Sequence, residues 1–279
     1  MTSEVGLHPT AIVDAKATLG AGIRIGAYAV IGPDVVLGPH AEVGHHVVLE
    51  GRVDVGARAR IGHGTVIGGI PQDLKYRDGT PSGVRIGEGT VIREYVTIHR
   101  ASRPDTDTEI GPECLLMASC HVAHDCLLGR GVIVINYAGL TGHCEIHDRA
   151  TIGGLTGIAP FTRVGTHAYI GGVSKVTADV PPFMLVDGRP AVARGINVIG
   201  LRRAGLGASE RRALQDAYRV LYRSGLAIPR ALEQIRETLP ASITLSTLLD
   251  FVVASKRIVP GPARSNQESA VDGEDERIL

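Results

Sequence analysis

Every sixth residue of the chain is a branched aliphatic over most of its length. The run begins Val13, Leu19, Ile25, Ile31, Leu37, Val43, Leu49, Val55, Ile61 and Ile67. It resumes at Ile86, Ile92 and Ile98, then continues unbroken on the same ruler from Ile110 through Val122 and Leu140 to Val176. A period of six is neither the 3.6 of a helix nor the alternation of an ordinary strand. It marks a hexapeptide solenoid, in which each repeat is one short strand and a turn. With three hexads to a coil, residues eighteen apart stack, and the coils rise by the strand spacing of about 4.8 Å. The sequence therefore predicts a mainly β chain, a parallel β-helix prism of roughly eight coils and roughly 40 Å.

Within each hexad the anchor points inward. The next position is often glycine (Gly20, Gly26, Gly32, Gly38, Gly44, Gly56, Gly62), which is read as serving a tight corner with positive φ. The fourth position after the anchor is small or β-branched, as at Ala29, Val35, Ala41 and Thr65. Two inward residues per hexad give a narrow core, in keeping with 4% aromatics and no Trp.

The ruler breaks twice. Ile67 and Ile86 are nineteen residues apart, so residues 69–84 are expected to bulge as a loop. Residues 100–109 (RASRPDTDTE) keep the phase but are too polar for a wall, so a second loop is expected there. Long loops on a regular scaffold usually carry function. The solenoid is assigned to 1–188, ending near Pro181-Pro182. A small α-helical domain follows at 189–258. Its expected helices are Gly195–Ala204, one with Ser209 as N-cap closed by Gly225, Pro229 to about Leu239, and Leu245 to about Ser255. The tail 259–279 is polar and acidic and is expected to be disordered.

Net formal charge is zero, which gives no global argument for nucleic-acid or membrane binding. No apolar run reaches transmembrane length and the N-terminus lacks a signal-peptide pattern, so a cytoplasmic protein is expected. Cys114, Cys120, Cys126 and Cys144 invite a zinc or disulfide reading. All four, however, fall on the small inward position, where free Cys substitutes for Ala or Val. The segment Arg189–Arg223 is locally basic. It reads either as a solvated helix face or as a patch for phosphates or an acidic partner.

The chemistry-bearing candidates are histidines, which titrate near neutrality. His124 lies two positions after the anchor Val122, at an outward corner. Gly142 stacks on it eighteen residues later, with His143 beside it. A base next to an exposed backbone N–H is the pairing acyl transfer needs: one takes a proton, the other holds the oxyanion. His99, His121, His124 and His143 could instead supply a zinc site across a subunit boundary, as in the γ-class carbonic anhydrases. A scaffold without chemistry is a further alternative.

Gln72-Asp73-Leu74-Lys75-Tyr76, Val96-Thr97-Ile98-His99-Arg100, His121–Cys126, Gly200–Arg203 and Leu221–Gly225 occur in that order. In this combination the chain closely resembles the acyl-[acyl-carrier-protein]–UDP-N-acetylglucosamine O-acyltransferases, the first enzymes of lipid A synthesis, from about His8 to about residue 250. The resemblance implies a left-handed parallel β-helix and a homotrimer with active sites between subunits. It implies transfer of a 3-hydroxyacyl chain from acyl carrier protein to the 3-position of UDP-N-acetylglucosamine. No metal or cofactor is implied beyond the donor's own 4'-phosphopantetheine. By the same resemblance His124 is the general base and the Gly142 N–H the oxyanion donor. Gln72, Asp73 and Lys75 match the sugar-nucleotide loop, and His99, His121 and His143 line the cleft. Asn197, Arg202 and Arg203 match positions near the nucleotide and pantetheine phosphates, and Gly172 the bottom of the acyl groove. Two departures stand out: Ala159-Pro160-Phe161 replaces His-Gln-Phe, and Arg189-Pro190 replaces Asn-His. The related N-acyltransferases on 3-amino sugar nucleotides are the nearest alternative. They usually carry an added N-terminal domain, which is not expected before His8.

Overall fold

The structure is a computed structural model, and it describes residues 6–262. The hexads form a three-faced prism of short parallel strands, in sheets of eleven, nine and eight strands. Strands pair with the next coil at an offset of eighteen, as Val30 does with Val48 and His121 with Gly139. The anchors Leu49, Ile67, Ile98, Val122, Leu140, Ile158 and Val176 are all fully buried. Each such side chain contributes about 1.5–3 kcal/mol by leaving water. The second inward row is Val47, Ala59, Val96, Cys120, Val132, Cys144 and their counterparts. All four cysteines are free and buried. Burial pushes the Cys114 thiol up to about 11 and that of Cys120 to about 12.

The glycines after the anchors do not take the left-handed corner residue. That residue falls two positions later and is rarely glycine: Tyr95 (φ 57°), Ser119 (60°), Asp125 (58°) and Tyr137 (60°). The glycines are required because adjacent coils nearly touch. A Cβ on Gly26 would lie 2.8 Å from the Gly44 carbonyl carbon, and one on Gly38 2.7 Å from the Ala57 nitrogen.

Both loops are shorter than the pattern suggested. Val66–Gly69 and Gly83–Ile86 are strands, so the first excursion spans 70–82. Asp107–Ile110 is also a strand, so the second spans 100–106. Its polar residues are compatible with a wall because they alternate. Thr108 points inward and is fully buried, while Asp107 and Glu109 meet arginines on the outer surface. Arg52 reaches Asp107 at 2.7 Å and Arg85 at 2.9 Å, and Arg85 reaches Glu109 at 3.3 Å. These pairs clamp the strand Gly83–Ile86 between its neighbours, where the offset changes from Arg52↔Gly83 to Gly83↔Asp107.

At the end of the prism Met184–Gly188 folds back on Ala191–Ile196 as an antiparallel hairpin. Residues 191–196 are therefore strand, and the helical part starts at Val198 rather than 189. Four helices follow: α1 Val198–Arg203, α2 Ala208–Arg223, α3 Ile228–Thr238 and α4 Ile243–Ala254. The N-cap of α2 is Gly207, not Ser209, and Glu210 reaches back to the Gly207 N–H at 3.4 Å. In α4 Ser242 caps, accepting from the Leu245 N–H at 3.2 Å. The expectation of disorder from residue 259 is corrected. Val259 is buried, and its N–H donates to the Asp179 carbonyl at 2.8 Å. The Ala193 N–H donates to the Pro260 carbonyl at 2.8 Å. The returning segment thus joins the solenoid's last coil to its hairpin. The rest of the expected tail, 263–279, lies outside the described residues. Among the described residues no helix is long and apolar enough to cross a membrane.

Candidate active site

One corner of the prism gathers the titratable groups. The strand His121–Val122 ends there, and the chain turns through His124 and Asp125 before Leu127–Leu128 begins the next face. Along a strand two successive side chains diverge. Here Asp125 is left-handed, which turns its carboxylate back against its neighbour: His124 Nδ1 lies 2.7 Å from Asp125 Oδ2. The same oxygen accepts from Ser102 Oγ at 2.6 Å, and both carboxylate oxygens lie 3.2 Å from the Ser102 N–H. Arg103 Nε stands 3.7 Å from Oδ1. Burial pushes the Asp125 pKa up, but the hydrogen bonds from Ser102 and His124 outweigh it and hold the acid below its ordinary value. An ionised carboxylate on the Nδ1 side keeps the proton there, leaving His124 Nε2 as the free acceptor.

Gly142 lies one coil above. A Cβ built on it would stand 3.1 Å from both Cε1 and Nε2 of His124. Its φ is +106°, a conformation that needs glycine. The turn is pinned on either side: the His143 N–H donates to the His124 carbonyl at 3.1 Å, and the Phe161 N–H to the Gly142 carbonyl at 3.3 Å. Among the described residues the Gly142 N–H itself donates to no protein group.

His143 completes the corner. Its Nε2 is 3.7 Å from Asp125 Oδ2, its ring meets His124 edge-on at 5.1 Å, and it stacks on Phe161 at 4.5 Å. Below the corner, His121 Nδ1 is 2.7 Å from Thr97 Oγ1 and its ring meets His99 edge-on at 4.8 Å. Burial lowers the pKa of His121 and His143 and pulls His99 down to about 4. These rings are therefore neutral at neutral pH.

The remaining sequence candidates are distributed unevenly. Gln72 and Lys75 are exposed on the first loop. Asp73 Oδ1 accepts from the Lys75 N–H at 2.9 Å, and its carboxylate is near enough to His143 to favour that ring's charged form. Gly172 does not join them. It stacks on Gly154 at a different corner of the prism, where the strand Tyr169–Ile170 gives way to Lys175–Val176. Asn197 is occupied as the cap of α1: its Oδ1 accepts from the Gly200 N–H at 3.0 Å and its Nδ2 donates to the His167 carbonyl at 2.9 Å. Arg202 and Arg203 are exposed on the same helix. In the departure Ala159-Pro160-Phe161, Phe161 supplies the ring that stacks on His143. Arg189 forms the hairpin turn, its Nε on the Val173 carbonyl at 2.7 Å.

Among the described residues the set with metal-ligand spacing is His124, Asp125 and His143, whose ligand atoms lie within 4.8 Å, rather than the four histidines considered from sequence. Asp125 and Ser102 were missed as site residues. Asp125 stands inside the His121–Cys126 motif, but adjacency gave no reason for His and Asp to converge until the left-handed turn was visible. Five concavities among the described residues are lined by residues other than His124. One of them, about 750 Å³, lies among Arg24, Glu42, His45, Arg60 and His63 on another face. There the His45 and His63 rings already accept backbone N–H groups at Nδ1, from Ala27 and His45 at 2.8 Å, whereas at the His124 corner Nε2 faces a backbone N–H that donates to no described protein group.

Residues 179–259 match the family model described as UDP-N-acetylglucosamine O-acyltransferase, domain 2, and residues 16–51 the bacterial transferase hexapeptide model. The chain is 44% identical over 256 residues to the acyl-[acyl-carrier-protein]–UDP-N-acetylglucosamine O-acyltransferase of Paraburkholderia phymatum, covering 90% of this chain and 97% of that protein. It is 46% identical over 237 residues to the protein so named in Verminephrobacter eiseniae, covering 85% and 90%. Among solved structures, the UDP-N-acetylglucosamine acyltransferase of Bacteroides fragilis superposes with a TM-score of 0.88 at 35% identity, over 90% of this chain and 98% of that one. The Francisella novicida enzyme gives 0.88 at 34% identity, over 92% and 94%. The left-handed parallel β-helix is common to them and to this chain.

Proposed function

We infer the reaction from one premise: this chain belongs to the acyl-[acyl-carrier-protein]–UDP-N-acetylglucosamine O-acyltransferase family. It is an acyltransferase, moving an acyl chain from acyl carrier protein to UDP-N-acetylglucosamine in lipid A biosynthesis. In the mechanism we propose, His124 Nε2 takes the proton of the sugar 3-hydroxyl as that oxygen attacks the thioester carbonyl. The carbonyl oxygen becomes an oxyanion held by the Gly142 N–H. Collapse breaks the carbon–sulfur bond, and the His124 imidazolium returns the proton to the departing phosphopantetheine thiolate. The observation that carries this reading is the His124–Asp125 pair directly beneath the Gly142 turn. General-base help is worth about 10²–10⁴ in rate, and one oxyanion donor on the order of 10²–10³. Asp125 keeps the proton on Nδ1 and stabilises the imidazolium. The step draws on no metal or resident cofactor, since the donor brings its own 4'-phosphopantetheine.

The working unit in this reading is a homotrimer in the cytoplasm. One feature supports a second copy beside the His124 corner: another corner carries an exposed apolar ridge, with Tyr95 at 67%, Tyr137 at 64% and Leu155 at 62% exposure. Large exposed apolar ridges mark contact surfaces. Gly172 sits on that ridge, so its packing against a neighbour's His124 corner would bring acyl groove and base into one cleft. Gln72, Asp73 and Lys75 would bind the sugar nucleotide, with His99, His121 and His143 lining the cleft. Arg202 and Arg203 would meet phosphates with bidentate forks, while Asn197 holds the helix that carries them.

The test offers UDP-N-acetylglucosamine and its 3-amino analogue with 3-hydroxyacyl carrier proteins of several lengths. Wild-type ester formation on the hydroxyl acceptor, lost in His124→Ala, is expected. Turnover of the amine alone would move the enzyme to the N-acyl class. Full activity of His124→Ala would remove the mechanism.

A further inference from the structure

We propose that Ser102 is a positioning residue for this reaction. It fixes Asp125 so that His124 presents an unprotonated Nε2 to the acceptor hydroxyl. The inference rests on the proposed role of His124 and deepens it.

Ser102 and His124 share one oxygen. Asp125 Oδ2 accepts from Ser102 Oγ at 2.6 Å and from His124 Nδ1 at 2.7 Å, while the Ser102 N–H sits 3.2 Å from both carboxylate oxygens. A carboxylate gripped by one donor swings about its Cβ–Cγ bond. A carboxylate gripped by an N–H, an O–H and an imidazole does not. The grip is made by a residue twenty-three positions earlier, on a different loop.

Ser102 is itself held. Ala101 is fully buried, its N–H donates to the Gly83 carbonyl at 3.1 Å, and its carbonyl accepts from the buried Ser82 hydroxyl. The Asp105 N–H donates to the Pro81 carbonyl at 2.8 Å. The exit of the first loop, which carries Asp73 and Lys75, therefore sets the place of Ser102, and Ser102 sets Asp125. Sugar-nucleotide loop and general base are joined through three hydrogen-bonded steps, Ser82 to Ala101, Ser102 to Asp125 and Asp125 to His124. The charged and titratable groups facing the pair are Arg103 and His143 on Asp125, and His121, His143 and His99 around His124.

A residue that merely staples two loops would change stability and leave the chemistry alone. A positioning residue moves the pH profile. Without Ser102 the carboxylate has His124 as its main partner and holds the imidazole proton more tightly, so the acid limb of kcat/KM moves to higher pH. In Ser102→Ala kcat should fall on the order of 10–10²-fold from misplacement of the base, with KM for the sugar nucleotide little changed. Ser102→Thr keeps the hydroxyl and should restore both kcat and the limb. Wild type and His124→Ala are assayed first: if His124 is dispensable, the reaction mechanism itself falls, whatever Ser102 does. If His124 is required and Ser102→Ala keeps the wild-type kcat and acid limb, the proposal is overturned. A folded Ser102→Thr that fails to rescue overturns it as well. Nitrogen-15 spectra of the histidine-labelled wild type read the tautomer without any variant. A proton on Nδ1 of His124 at neutral pH is expected, and a proton on Nε2 would overturn the proposal.

Discussion

Gly142 and His124 are in contact across adjacent coils: a methyl group on the glycine would stand 3.1 Å from the Nε2 of the imidazole. Gly142→Ala should therefore act twice. The methyl would press on the atom proposed to take the substrate proton, and the φ of +106° would become strained, at a cost of about 1–2 kcal/mol. The expected result is a fall in kcat on the order of 10²-fold or more, with a modest drop in thermal midpoint. Wild-type turnover in a stable Gly142→Ala protein would refute the oxyanion assignment.

Asp125→Asn keeps the shape of the corner and removes its charge. The imidazolium formed in the reaction then lacks its anion, so proton uptake by His124 becomes harder. We expect kcat to fall by about 10²-fold, within the range of general-base assistance, and the acid limb of the pH profile to move to lower pH. Ser102→Ala is expected to move the same limb the opposite way. Measuring both limbs on one set of preparations separates loss of charge from loss of position.

How much of this was legible beforehand can be judged from individual residues. The six-residue ruler located the buried anchors and the stacking of Gly142 on His124, because both follow from one-dimensional spacing. It misjudged the glycines after the anchors: Gly26 is there for the closeness of Gly44, a distance between coils that no local rule contains. It missed Asp125 because adjacency in sequence implies divergence on a strand, and convergence here depends on a left-handed turn. It missed Ser102 because the second loop inserts six residues and destroys the eighteen-residue offset, so that Thr97 pairs with His121 instead. Polarity alone also misled at Asp107–Glu109, where the charges are a cross-strand ladder rather than a loop.

That ladder makes its own prediction. Asp107 has a side chain only 7% exposed and pairs with both Arg52 and Arg85. Asp107→Ala would leave two guanidinium groups facing each other across the strand Gly83–Ile86. Loss of hydrogen bonds to a charged group of this kind costs about 1.5–3 kcal/mol. Because both arginines are half exposed, solvent screening puts the expectation at the lower end. Chemical denaturation should show the loss. Asp107→Asn should recover part of it, and an unchanged midpoint for Asp107→Ala would contradict the clamp.

The buried thiols give a second structural test. Cys114, Cys120, Cys126 and Cys144 are all in the core; burial holds Cys114 and Cys120 above their ordinary pKa, the contact with Cys144 together with burial raises Cys126, and Cys144, lowered by its contact with Cys126, is shielded by full burial. Since the thiolate is the reactive form, the native protein should resist a thiol reagent at pH 8 and react at four cysteines only after denaturation. Rapid titration of any of them in the native state would place it outside the core.

Stability should fall as the solution is acidified, and the sign follows from the histidines. His99, His121, His143, His147 and His167 are all held below their ordinary value of 6.5 by burial, His99 as far as about 4. Below pH 6.5 the unfolded chain takes protons that the folded chain refuses, so unfolding gains protons and folding stability is lost with decreasing pH. The contribution of neutral His99 is complete above pH 6.5 and declines down to about pH 4. Asp125 acts in the same direction at lower pH, because its carboxyl is held below the ordinary value and its contribution is lost as pH drops through that lowered value. Denaturation midpoints at pH 7.5, 6.0 and 5.0 should therefore decrease in that order. In His99→Gln one titrating group is absent and the slope between pH 6 and 5 should flatten. A midpoint that rises on acidification, or a slope indifferent to His99→Gln, would contradict the burial of these rings as the cause.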